Sequence, residues 1–246
     1  MYKVFIIVLL LSLQAAAGTI LLTPENTLTI RGVVSPDAVA DWSTQLVRMH
    51  LARKSVAEKI YLVMDTPGGS VTDGLDFITL VRTIPNVETV TIFAASMGSG
   101  IVEGVPGKRH IASSGLLMFH RATISLQGQI NDGELESRLA MVKKIVNVLE
   151  AGNYKRMKMS SAAYKAAIKD ELWLLGDEAV KQNAADSVDD ITCSRELLNS
   201  TISSTVSFFG FTIKIKSAAC PLMRQSSVAP ADKDAYAFYQ KHYLQK

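Results

Sequence analysis

Three short apolar segments, separated by helical patterns, constrain the fold of this chain more than any other feature of its sequence. They run from Ile60 to Met64, from Val87 to Phe93 and from Leu116 to Phe119, and each has the character of a strand buried on both faces. Between the first two, Leu75 and Ile78 recur at helical spacing. Strands that alternate with helices are typical of a parallel sheet with helices packed on its faces. The sequence therefore predicts an α/β fold.

A strand and a helix are predicted ahead of the first buried segment. Residues 27–31 alternate polar and apolar side chains, and Gly32 then offers a turn. Ser35, Pro36 and Asp37 supply a capping residue, a first-turn proline and an acidic residue, in the order that favours the start of a helix.

The second half of the chain contains a longer helical pattern. One helix is predicted from Asn131 to about Arg156, and its apolar stripe invites packing against a neighbouring subunit. The stripe consists of Leu135, Leu139, Val142, Val146 and Leu149. Further on, residues 211–216 alternate like a half-exposed strand, and the tyrosines at 236, 239 and 243 have the spacing of a short helix.

The first residues have the pattern of a secretory signal peptide. Lys3 precedes an apolar run from Val4 to Leu13, and small residues follow up to Gly18. The run is shorter than the roughly 20 residues that a membrane-spanning helix needs. We predict cleavage after Ala17 and a periplasmic or secreted protein; a buried N-terminal strand or an uncleaved anchor is the alternative.

Two cysteines, Cys193 and Cys220, lie in the last quarter of the chain. In an oxidising compartment they are candidates for a disulfide, with two unrelated thiols as the alternative. The formal charge of +3 is spread along the chain rather than clustered, so we expect no nucleic-acid partner.

The ends of the three buried strands carry candidate chemistry. Ser96 stands where the second strand turns into a helix, and His120 ends the third. The carboxyl ends of parallel strands meet at one edge of a sheet, so the hydroxyl and the imidazole are candidates for nucleophile and general base. Either residue alone is more often structural, Ser96 as a helix cap and His120 as a satisfied polar residue.

Backbone amides near Ser96 are candidates for an oxyanion hole. Gly68 and Gly69 follow the first strand, and paired glycines permit a conformation in which an N–H faces a ligand. We take Gly68 and Met97 as the candidate donors and Gly69 as a substrate-binding residue. An ordinary tight turn over Pro67 to Ser70 is the alternative.

Taken together, five ordered groups of residues resemble the Clp protease proteolytic subunit (ClpP) family, over roughly residues 28–190. The groups are residues 65–71, 94–98, 107–109 leading to 117–120, 127–129, and 178–180 with 185–187. The resemblance implies a ClpP/crotonase-like fold of repeated β-β-α units. It also implies a long handle helix that mediates contacts between copies of the chain, and it leaves the C-terminal extension without a counterpart. The predicted organisation is a signal peptide (1–17), a peptidase domain (18–190) and an extension of unknown role (191–246).

The resemblance implies a serine endopeptidase with neither metal nor organic cofactor. Ser96 matches the family's nucleophile, His120 its general base, and Gly68 and Met97 its oxyanion-hole donors. For the third catalytic residue, counting back without a gap from Glu178 favours Glu171, whereas residue type favours Asp170. Either carboxylate would orient the imidazole.

The predicted leader departs from the family, whose usual partner is an ATP-driven unfoldase. ATP is not available outside the cytoplasm, so we expect ATP-independent cleavage of peptides or unfolded proteins by a homo-oligomer, without that partner. The main alternative is an exported binding or scaffold protein with little activity. A Ser–Lys peptidase using Lys108 and a crotonase-type acyl-CoA enzyme are further alternatives.

Overall fold

The computed structural model describes residues 18–123, 131–208, 211–223 and 226–230. The strands are β1 (Thr19–Leu22), β2 (Thr27–Val34), β3 (Ile60–Gly69), β4 (Val87–Ala95), β5 (Arg109–Phe119), β6 (Leu172–Leu175), β7 (Ser187–Val188), β8 (Asp190–Cys193), β9 (Thr201–Phe208), β10 (Phe211–Ala218) and β11 (Ser226–Pro230). The helices are α1 (Pro36–Ala52), α2 (Val71–Val81), α3 (Met97–Gly104), α4 (Asp132–Arg156), α5 (Ser161–Ala167), α6 (Asp177–Lys181) and α7 (Arg195–Asn199). The predicted leader, residues 127–129 and the C-terminal tyrosines lie outside the described residues.

A central sheet of six strands organises the fold. Its order is β2-β3-β4-β5-β6, and β7 pairs with β5 beyond this path. Strands β2 to β5 and β7 are parallel, and β6 runs antiparallel to β5. The predicted α/β class is confirmed, because the helices connect parallel neighbours as expected for such sheets.

Each face of the sheet is covered by a different part of the chain. On one face, Trp42 of α1, Phe77 of α2 and Ile101 of α3 belong to the main core. On the other face, Val63 and Val90 pack in a second cluster that includes residues of β1 and α7, together with Cys220. Burial on both faces explains why the central strands have nearly continuous apolar sequences.

The long helix α4 begins after Asn131, whose side chain accepts a hydrogen bond from the Glu134 amide and caps the helix. The prediction of one helix to Arg156 is confirmed. Much of α4 is exposed, including Leu135, and Asn153 is its one buried residue. Within the described part of the chain, no helix has both the length and the apolar character needed to cross a membrane.

The turn predicted at Gly32 is wrong, and so is the alternative of a tight turn over Pro67 to Ser70. β2 continues through Gly32, which has a φ of +85° and marks a register shift between Arg31 and Val33. Likewise, β3 continues through Pro67 and Gly68, and Gly69 pairs with Val34 at the end of the β2–β3 ladder. Glycine permits positive φ without ending a strand, so it marks a bulge here rather than a reversal.

The segment after β7 covers the second face of the sheet. β8 pairs in parallel with β1, and strands β9, β10 and β11 form a separate antiparallel sheet. Cys193 at the end of β8 and the buried Cys220 form a disulfide. This bond holds the β1–β8 pair and the segment around Cys220 against the central sheet.

We expect the disulfide to contribute substantially to stability. Its cysteines are 27 residues apart, and closing a loop of that length stabilises a folded protein by about 3 kcal/mol. Denaturant titration with and without a reductant measures this loss. In the Cys193→Ser/Cys220→Ser double variant the reductant is expected to have no further effect, and an equal loss there would contradict the prediction.

Candidate active site

Ser96 lies in the sharp turn between β4 and α3. Its backbone has a φ of 55° and a ψ of −121°, which is strained for a residue with a side chain. The turn is held by the Ser96 amide, which donates to the carbonyl of Met118 at 2.9 Å. The side chain caps no helix amide. The strain thus presents the hydroxyl at the edge of the sheet, as in the nucleophile turns of hydrolases.

His120 directly follows β5, the strand beside β4, and its imidazole contacts the Ser96 hydroxyl. Nε2 of His120 lies 2.7 Å from Oγ of Ser96. Both residues are half-buried. The distance fits a hydroxyl that donates its proton to the unprotonated Nε2, which is the geometry required of a nucleophile and its general base.

Gly68 packs against the Ser96 turn. A Cβ on Gly68 would come within 2.4 Å of the Ala95 carbonyl and 2.7 Å of the Met97 nitrogen, so the two candidate amides are neighbours. The Gly68 N–H, however, donates to Oγ1 of Thr66 at 3.1 Å, and that hydroxyl donates to the Gly32 carbonyl at 2.6 Å. The Met97 amide is at the first position of α3, where a helix offers no backbone partner.

The two candidate carboxylates lie beyond the start of β6. Phe119 pairs with Leu172 in the antiparallel β5–β6 ladder, so extending the register by one residue sets His120 opposite Glu171. Directly opposed residues have Cα atoms about 4.5–5.5 Å apart. Asp170 lies one residue further on, at the end of the 3₁₀ helix Ile168–Asp170.

Neither carboxylate contacts the imidazole in this conformation. Among the described residues, the hydrogen bond of His120 is the one to Ser96, and the Glu171 carboxylate accepts from Nε1 of Trp173 at 2.9 Å. Glu171 also has a φ of 70°, a region that non-glycine residues rarely adopt. Both acidic side chains are exposed.

A cavity of about 140 Å³ opens beside Ser96 and His120. Its lining combines the apolar side chains of Phe119 and Leu149 with polar groups that include Glu150. The side-chain amide of Asn153 reaches it from α4 and donates to the Tyr164 hydroxyl at 2.9 Å. Burial raises the pKa of Tyr164 to about 12, so the hydroxyl stays neutral. A pocket of this size beside the serine suits a single side chain of a bound peptide.

Gly69 lies at the mouth of this cavity and is exposed. The β3–β4 ladder ends at Thr66 and Ala94, whereas the β2–β3 ladder continues to Gly69. Among the described strands, the last residues of β3 therefore pair with β2 but not with β4. The backbone groups on the β4 side of these residues face Ser96, and an extended peptide can pair with them as an added strand.

Helix α3 is anchored by a buried ion-pair network that the sequence analysis missed. Glu103 of α3 and Arg109 of β5 are joined by a 2.5 Å contact, and Arg109 also binds Asp186 at 2.7 Å. Burial raises the pKa of Glu103 to about 8. The sequence pattern could not predict this cluster, because Glu103 lies within an apolar helix and Asp186 is distant from it in the sequence.

Lys108, the alternative base, lies just before β5 at its amino end, whereas His120 follows the carboxyl end. The eleven residues of β5 separate them, which places the two side chains at opposite ends of the strand, on the order of 20–30 Å apart. The structure brings together Ser96, His120, Gly68 and Met97 and leaves Lys108 apart. The alternative base is therefore wrong.

A strained serine at a strand–helix turn, hydrogen-bonded to a histidine on the next parallel strand, defines a hydrolase-type site on an α/β fold. The sequence model of the Clp protease family matches residues 16–191. That match spans more than half of the chain, and the chain belongs to the Clp protease family. It is accordingly a peptidase of the hydrolase class.

Proposed function

We propose that this protein is an ATP-independent serine endopeptidase that cleaves peptides or unfolded proteins through an acyl-enzyme on Ser96. The observation that carries the proposal is the 2.7 Å contact between the Ser96 hydroxyl and Nε2 of His120. An exported binding protein, the alternative from sequence, has no need of a strained serine within reach of a base.

In the proposed reaction, Oγ of Ser96 attacks the carbonyl carbon of the scissile peptide bond. Nε2 of His120 accepts the hydroxyl proton and then transfers it to the leaving amine. Water, deprotonated by the same nitrogen, hydrolyses the ester and restores the serine. The substrate backbone lies along the open edge of β3, beside Gly69.

The oxyanion of the tetrahedral intermediate would bind the Met97 amide, the free first amide of α3. The second donor is the Gly68 amide, which must exchange the Thr66 hydroxyl for the substrate oxygen. Thr66 thus keeps a buried N–H satisfied until substrate arrives.

The third catalytic residue in this proposal is Glu171 rather than Asp170. Glu171 is opposite His120 by the β5–β6 register. Its carboxylate, now held by the Trp173 indole, would turn to accept a hydrogen bond from Nδ1 of His120. That contact would hold the tautomer in which Nε2 is free to accept a proton.

The location and assembly of the protein are also proposals. The N-terminal pattern supports export, hence cleavage without an ATP-driven unfoldase. Met141 and Val148 share one face of α4 and are 55% and 62% exposed, and this apolar face supports a homo-oligomer formed through the handle helix.

A fluorophosphonate probe tests the proposal without ATP. We expect one adduct per active chain on Ser96, because the probe reacts with serines that a base activates. Ser99 in the first turn of α3 is a control, since its buried hydroxyl lies 2.8 Å from both the Ala94 and the Met118 carbonyl and donates to one of them. Fragment mass spectra distinguish the two positions. No adduct, or an adduct elsewhere, would contradict the proposal.

A further inference from the structure

A buried cluster of charged groups lies at the amino end of β5, away from Ser96. His110 is held between two carboxylates, with Nδ1 2.6 Å from Asp189 and Nε2 2.9 Å from Glu88. Lys59 pairs with Glu88 at 2.9 Å, and the Ser187 hydroxyl donates to the same Asp189 oxygen that faces the imidazole. The peptidase mechanism uses none of these groups.

The other oxygen of Asp189 faces the backbone at the start of β1. The nitrogen of Gly18 donates to Oδ1 of Asp189 at 3.0 Å. Among the described residues, Gly18 is the one donor to this oxygen. Asp189 is 5% exposed, so its carboxylate is aimed at this nitrogen from inside the protein.

The backbone holds this nitrogen in position. The Gly18 carbonyl accepts from the Asp190 amide at 2.9 Å, and the β1–β8 ladder continues from Thr19 paired with Asp190. The next inward-facing side chains, Ile20 and Leu22, are 6% and 0% exposed. A Cβ at residue 18 would lie 2.9 Å from Oδ1 of Asp189, so a glycine lets the nitrogen approach closely.

We propose that Asp189 is the binding site for the α-ammonium group of Gly18, created when the leader is removed. The inference depends on the proposed leader and is independent of the peptidase activity. Hydrolysis of the Ala17–Gly18 bond by a signal peptidase consumes one water and leaves a carboxylate on Ala17 and an ammonium on Gly18. The neutral amide donor seen at Asp189 thereby becomes a cation.

The charges around Asp189 favour a cation at this point. Burial alone would raise the pKa of Asp189, but hydrogen bonds from Ser187 and His110 outweigh it and lower the pKa below its ordinary value. The carboxylate is therefore ionised at neutral pH. Lys59 is paired to Glu88, and Lys108 also favours the charged form of Asp189. An ammonium at Oδ1 would pair with the carboxylate on the side opposite His110.

The pairing would couple processing to the final fold. β1 supplies Ile20 and Leu22 to the cluster that covers Val63 and Val90 on the second face of the sheet. A charged terminus paired with Asp189 holds Gly18, the residue just before β1, in place, where a chain end otherwise frays most easily. Removal of the leader would thus stabilise the packing of β1 against the second face of the sheet.

The test begins with the full chain expressed for export, whose intact mass is expected to show a mature protein that starts at Gly18. A second chain has one serine inserted between Ala17 and Gly18, which moves the ammonium one residue away from Asp189. We expect the insertion to lower Tm by about 2–4 °C, and to have no effect in the Asp189→Asn variant. Asp190→Asn is the matched control, because Asp190 is exposed, and the insertion should keep its effect there.

A second measurement does not depend on how well Asp189→Asn folds. An amine-reactive reagent at neutral pH labels the terminal amine of the inserted chain at least about threefold faster, since pairing with a carboxylate raises the ammonium pKa. A mature terminus other than Gly18, equal labelling rates, or an equal Tm loss with and without Asp189 would each overturn the inference. Labelling of Ser96 is expected to be unchanged in every form, so failure here is distinct from failure of the peptidase proposal.

Discussion

Replacing Ser96 with alanine is expected to lower kcat/KM for a peptide substrate by about 10⁴- to 10⁶-fold. The variant loses the atom that forms the acyl-enzyme, while the neighbouring amides and the cavity remain. Peptide hydrolysis without ATP, followed by release of a fluorescent group, measures the loss. Because alanine is smaller than serine and Ser96 caps no helix amide, the fold is expected to be unchanged.

Ser114→Ala is the matched control for this variant. Ser114 lies on β5, is exposed, and is expected to tolerate the same substitution with activity within about twofold of wild type. Residual hydrolysis by Ser96→Ala at more than a few per cent of wild type would show that the reaction does not pass through this hydroxyl.

Glu171→Gln is expected to lower kcat by about 10²- to 10⁴-fold, whereas Asp170→Asn leaves it within about twofold. Glutamine keeps the size of the side chain but removes the charge that would stabilise the imidazolium formed during attack. The two acids are adjacent and both exposed, and they differ in their position relative to β5. A difference between the two variants therefore reports on that position. Only Glu171 is opposite His120 when the β5–β6 ladder is extended.

The opposite ranking of these two variants would assign the role to Asp170. Small effects from both would mean that His120 acts without a carboxylate behind it. Glu171 has a positive φ, and a substitution at a strained position can lower stability. Circular dichroism of each variant checks that the variant is still folded.

The catalytic turn illustrates how strain and packing are distributed in this fold. Ser96 is held in a costly conformation by the Met118 carbonyl on β5, and α3 behind it is tied to the same strand by Glu103 and Arg109. β5 also ends in His120. One strand therefore fixes the nucleophile, its helix and its base relative to each other.

The sequence by itself determined the elements whose signals are local. Apolar runs predicted the central strands, and the Ser35 cap and the helical stripe after Asn131 predicted α1 and α4. The order of the strand ends made Ser96 and His120 candidates, because parallel strands bring their carboxyl ends to one edge, and the resemblance to the ClpP family paired them. The turn predicted at Gly32 and the alternative turn over Pro67 to Ser70 were wrong, since glycine allows both a reversal and a bulge and only strand pairing chooses between them.

Tertiary structure alone decided the features that join distant segments. Periodicity cannot show that Arg109 meets Glu103 and Asp186, that the Gly68 amide is engaged by Thr66, or that β6 pairs with β5 up to Phe119 and Leu172, next to His120 and Glu171. Nor can it show Gly18 against Asp189, which are 171 residues apart. A sequence pattern reports which face of an element is apolar, whereas distances of a few ångströms between polar atoms depend on how whole elements pack.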